Sequence, residues 1–94
     1  MKLYLVCLTS YFETNGIETN VEIFKTREEA VEFLESNYTK NKSYYSEEEF
    51  EWDDFEKDSY SFCANDENGY FERYEAQIIE KEVNWYGIWF KKND

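Results

Sequence analysis

The chain is 94 residues long, which is one domain (1–94), and carries a formal net charge of −12 from 22 acids against 10 basic residues. That charge opposes direct binding to nucleic acid or to an anionic membrane, and the basic residues are spread thinly, in pairs at most, as at Lys40/Lys42 and Lys91/Lys92. With no histidine, Ser–His and Cys–His nucleophile pairs are excluded, and neither GxGxxG nor GxxxxGK[ST] is present to mark a nucleotide site.

Lys2 to Tyr11 (KLYLVCLTSY) is a nearly continuous apolar run of strand formers, as expected of a strand buried on both faces. Cys7 within it reads as a buried, reduced thiol. Asn15-Gly16 is a turn signal, and Ile17 to Phe24 alternates Ile17, Thr19, Val21, Ile23 with Glu18, Asn20, Glu22, Phe24. Residues 2–24 therefore predict a β-hairpin.

Thr26-Arg27-Glu28-Glu29 is a capping box, and Ala30, Val31, Phe33, Leu34 and Tyr38 follow at helical spacing, predicting a helix that ends near Tyr38 to Lys40. Ser46-Glu47-Glu48-Glu49 repeats the capping pattern. It favours a short acidic helix running to about Phe55, with a loop pinned by its aromatics as the alternative. Ser59 to Ala64 alternates as a strand, residues 65–69 (NDENG) form a turn cluster, and Tyr70 to Val83 is a long strand candidate. Residues 84–90 (NWYGIWF) read either as a last edge strand or as an aromatic tail folded on the sheet. The resulting fold class is α+β: a two-layer sandwich whose antiparallel sheet of four or five strands (β-β-α-β-β) is covered on one face by the main helix.

Twenty Phe, Tyr and Trp residues outnumber thirteen Val, Ile and Leu, which predicts an aromatic core with rings to spare for a binding face. Two cysteines, no signal-peptide pattern and no membrane-length apolar stretch point to a cytoplasmic protein. Eight Lys against two Arg, with many Asn, Tyr, Ile and Phe and no Pro, fits an AT-rich bacterial or phage genome.

The densest signal lies in 47–58, where eight of twelve residues are acids and one is lysine. Acidic runs are usually disordered, but Phe50, Trp52 and Phe55 give this one something to bury, so it predicts an ordered negative surface. Acids at alternate strand positions stand about 6.6–6.8 Å apart, on the order of neighbouring phosphates in a nucleic-acid strand. Glu18/Glu22, Glu72/Glu75 and Glu80/Glu82 add to that charge. The candidate partner-binding residues are Glu47, Glu48, Glu49, Glu51, Trp52, Asp53, Asp54, Glu56 and Asp58. A secondary set is Trp85, Tyr86, Trp89 and Phe90.

In size, charge, composition and lack of catalytic residues the chain resembles, at class level, the small acidic inhibitors of phages and mobile elements: anti-CRISPR and anti-restriction proteins of the DNA-mimic kind. That resemblance implies a non-enzymatic inhibitor docking on a basic surface of a nuclease or another nucleic-acid-handling protein, with no cofactor and no metal. Two alternatives stand beside it. One is a small adaptor domain that binds a protein through its aromatic C-terminus. The other is a carboxylate-based metal-binding domain, for which the 22 acids single out no ligand set.

Overall fold

The computed structural model describes residues 1–83. Its first hairpin forms where the turn signal places it: β1 (Lys2–Phe12) and β2 (Gly16–Phe24) pair antiparallel from Phe12 opposite Gly16 to Tyr4 opposite Phe24. Gly16 takes a φ of 88° in the turn, a region that only glycine occupies without strain.

Helix α1 (Arg27–Lys42) starts from Thr26, whose hydroxyl accepts the Glu29 amide at 3.2 Å and donates to the Glu29 carboxylate at 2.9 Å. Glu28 and Glu29 occupy the first turn and Lys40 and Lys42 the last, so both ends complement the helix dipole. The helix runs two residues past the expected end, and Ala30 and Leu34 are its fully buried residues.

The expected helix over 47–55 is corrected. Ser46 does cap as its motif requires, with its amide donating to the Glu49 carboxylate at 2.7 Å, but only one 3-10 turn forms, Glu47–Glu49. The chain then enters strand β3 (Phe50–Glu56). Phe50 and Phe55 are five apart, a spacing that a regular two-residue alternation cannot put on one face. A β-bulge between Phe50 and Trp52 supplies the missing residue. Phe50 then pairs with Ala64 and Phe55 with Tyr60, and both phenyl rings turn toward the helix.

Strand β4 (Ser59–Asn65) leads into a turn held by Asp66, whose carboxylate accepts the amides of Asn68 and Tyr70 at 2.8 and 3.0 Å. Strand β5 (Phe71–Glu82) follows. All pairings are antiparallel, in the order β2-β1-β5-β4-β3. The chain is thus an α+β two-layer sandwich with a five-stranded sheet and one main helix. Its fifth strand is 50–56; residues 84–90, expected as an edge strand or tail, lie outside the described part.

The core lies between α1 and one face of the sheet. Val6, Phe62, Ala64, Tyr74 and Ala76 point into it opposite Ala30 and Leu34, and Phe62 stacks on Tyr74 at 4.8 Å. The other face has no second layer among the described residues, which corrects the expectation that β1 is buried on both sides. Only Val6 of β1 is buried, and Cys7, on the open face, is a half-buried free thiol.

Candidate protein-binding surface

The acidic segment lies at an outer edge of the sheet. After α1 the chain crosses to the side away from β2 and lays down β3 as the terminal strand, paired only with β4. One side of its backbone is therefore unpaired, and its side chains alternate between two faces. From Glu51 to Glu56 every residue is exposed.

Strand register sorts the candidate residues. Trp52, Asp54 and Glu56 lie opposite Cys63, Ser61 and Ser59, on the open face. The Trp52 indole N–H donates to the Ser61 hydroxyl at 3.3 Å. Glu51, at the bulge, accepts from the Asn65 side-chain amide at 3.2 Å. Asp53 points the other way, toward the helix, where its carboxylate takes the Tyr38 hydroxyl at 2.6 Å and forms an ion pair with Lys42. Asp58 pairs with Arg27. Glu49 is engaged with Ser46. Glu47 and Glu48 are exposed on the 3-10 turn. Among the described residues no ion pair reaches Glu47, Glu48, Asp54 or Glu56.

The structure therefore brings Glu47, Glu48, Glu51, Asp54 and Glu56 to one edge and neutralises Asp53 and Asp58 with cations from α1. The further acids do not join them as one surface. Glu18 and Glu22 are on β2, at the opposite edge. Glu80 and Glu82 lie beside Lys2 and the N-terminal amine, at 3.9 and 3.0 Å. Glu72 and Glu75 are separated by the pleat: Glu72 accepts the Tyr45 hydroxyl on the helix side, and Glu75 meets Arg73 at 3.5 Å on the open side.

Comparison of the chain with protein-family models, with curated proteins and with solved structures finds no match. The reading therefore rests on the site's own chemistry. Asp53 is drawn up by partial burial but more strongly down by the hydrogen bonds from Lys42 and Tyr38, so its carboxyl titrates below the ordinary range. The hydrogen bond to Asp53 raises Lys42, against the smaller effect of burial. The pair is thus locked in its charged form. Burial, reinforced by nearby Glu51, pushes the Cys63 thiol up, away from the thiolate a nucleophile needs. Burial and the bond to Glu72 raise the Tyr45 hydroxyl far above its ordinary value. That cluster of Tyr45, Glu72 and Tyr74 anchors the connection before β3.

Among the described residues no group of three or more acids and cysteines is placed to hold a metal, and no helix is long and apolar enough to cross a membrane. The secondary candidates Trp85, Tyr86, Trp89 and Phe90 lie outside the described residues. Sequence reasoning missed the other exposed surface of the molecule. Ile17, Val21 and Ile23 of β2 lie on the open face, exposed by 64, 49 and 61%. Their alternation was legible in the sequence; which side of the sheet the helix covers was not.

Proposed function

We propose that this protein is a non-enzymatic binding protein that docks its acidic β3 edge on a basic surface of a nucleic-acid-handling protein. It would act as an inhibitor whose carboxylates stand in for phosphates. One observation carries this reading: Glu51, Asp54 and Glu56 stand on an ordered, solvent-facing edge strand with the exposed Trp52 among them, and Glu47 and Glu48 flank it on the 3-10 turn that leads in. The strand holds its carboxylates in place, so less ordering entropy is lost on docking than from a disordered acidic tail. An exposed indole within an acidic rim also supplies the aromatic anchor that charge alone lacks. Such an interface associates fast and weakens with salt.

The test uses proteins from a bacterial lysate that bind a heparin column, passed over the immobilised protein. Retention at low salt, release at high salt and displacement by added duplex DNA are expected. The triple variant Glu48→Lys, Glu51→Lys, Asp54→Lys should keep its melting transition and lose the retained proteins. If a folded triple variant retained them undiminished, the β3 edge would not be the contact.

A further inference from the structure

On the side of β2, the layer between α1 and the sheet is apolar at one end and polar at the other. Residues 33, 37 and 41 form one row of α1, because residues four apart share a helix face. Phe33 packs on Phe24 of β2 at 5.2 Å, and the row then continues with Asn37 and Asn41. The sheet beneath changes in step. Along the helix side of β2, Phe24 gives way to Glu22, Asn20 and Glu18, and Glu18 lies opposite Ser10 of β1. Apolar packing by this row therefore stops at Phe33. Beyond it opens a cleft of about 420 Å³, whose lining includes Ser10, Glu18, Asn20, Asn37, Asn41 and Tyr60. That volume falls within the range of small-molecule sites.

The amides of the cleft are held in a fixed orientation. The Asn41 side-chain NH2 group donates to the Asn37 carbonyl oxygen at 3.1 Å and to the Tyr60 hydroxyl at 3.2 Å, and that hydroxyl donates to the same Asn37 oxygen. Tyr60 is buried, and burial raises its hydroxyl, so this donor stays protonated. The three bonds set which way each amide faces. They leave the Asn37 NH2 group and the Asn41 carbonyl oxygen without a partner among the described residues, one a donor and the other an acceptor. No ion pair reaches Glu18 among the described residues, so its carboxylate is a second open acceptor. A polar row here forgoes the burial that Phe33 gains one turn earlier, and a half-satisfied network between two layers costs stability.

We propose that this cleft binds a small uncharged heterocycle with an amidine edge: an exocyclic amine beside a ring nitrogen, as in adenine and cytosine. The ring nitrogen accepts from the Asn37 NH2 group, and the amine donates to the Asn41 oxygen and to Glu18. An asparagine amide reads adenine through the same donor–acceptor pair, and a carboxylate accepts from the cytosine amine. Here the donor and the acceptor come from two residues one helical turn apart. The Glu18 carboxylate and the net charge of −12 oppose a phosphate, so the ligand is a free base or nucleoside rather than a nucleotide or a nucleic-acid strand. The cleft lies beside β2, at the opposite edge of the sheet from β3, and does not rest on the docking of the acidic strand.

Titration of the isotope-labelled 94-residue protein with adenine, followed at the side-chain amide resonances, provides the test. Adenine at millimolar concentration should shift the Asn37 and Asn41 amide signals saturably. Hypoxanthine carries a carbonyl where adenine carries the amine, and should bind about tenfold more weakly or less. Adenosine monophosphate should bind more weakly than adenosine, by a margin that salt narrows. Asn37→Leu, Asn41→Leu and Tyr60→Phe together replace the network with apolar groups and leave none of its polar atoms unpaired. That variant should keep or raise its melting temperature and lose adenine binding by calorimetry. Glu18→Lys exchanges an acceptor for a donor on an exposed residue, without touching the packed network, and should weaken adenine several-fold. Asparagine amides unmoved by adenine, equal binding of hypoxanthine, or undiminished binding by either variant would each overturn the proposal.

Discussion

At the scale of single residues, the charge of this protein is not uniformly available. Asp53 lies in the middle of the acidic run yet contributes little to its outer field, because Lys42 and Tyr38 hold it. Its carboxyl is lowered and the Lys42 ammonium raised. The first contributes stability above the unfolded carboxylate value of about 3.9, lost as pH falls through the lowered folded value; the second contributes below about 10.4, lost as pH rises through the raised one. Asp53→Asn should therefore cost about 1 kcal/mol at neutral pH, both side chains being about a third exposed. Urea titrations of parent and variant should converge as pH falls through the lowered Asp53 value. A gap that stayed constant across the acid range would show that the pair is not the source. The acids were countable from the sequence, but their partners were not: Lys42 reaches Asp53 only because α1 outlasts its expected end and the bulge turns Asp53 toward it.

At the scale of elements, local capping was the most legible signal. Thr26 and Ser46 both cap as their motifs require, and Thr26→Ala should cost about 1 kcal/mol, measured as a lowered denaturant midpoint with an unchanged slope. The two caps lead into different structures for a tertiary reason. After Thr26 the apolar residues repeat at helical spacing and find the sheet. After Ser46, Phe50 and Phe55 find the helix side only by way of the bulge, so the pairing with β4 overrides the local start signal.

The same strand carries a second physical role for its acids. An edge strand is a template for unwanted pairing, and charge blunts it. Neutralising Glu51→Gln, Asp54→Asn and Glu56→Gln together should leave the melting transition in place and raise light scattering at equal concentration. Unchanged scattering would leave the acids free of any edge-guarding role.

For the whole molecule, the α+β class and the β1–β2 and β4–β5 hairpins followed from residue patterns, because local chemistry closes them at Gly16 and Asp66; the β3–β4 hairpin did not, since its first strand carries a helix-start signal. The sheet order was not legible, since it depends on where α1 lets the chain land. Phe62 is the residue on which that arrangement converges: fully buried, it stacks on Tyr74 and meets the rings of Tyr38, Tyr45, Phe50 and Tyr60. Phe62→Ala should cost about 3–5 kcal/mol, a large share of the total for a domain of this size, and appear as the largest drop in melting temperature among single core truncations.

The pairing of β1 with β5 has a consequence for how the protein is made. Leu5 meets Ile79 across the centre of the sheet, so the sheet's central pairing joins segments synthesised far apart in time. The β1–β2 hairpin emerges from the ribosome first and is marginal by itself. Its central neighbour arrives only once β5 has been made, and loop closure over that separation slows assembly. A nascent chain halted before Phe71 holds an apolar β1 with one edge unpaired, the state in which this protein most needs its negative charge to stay dispersed.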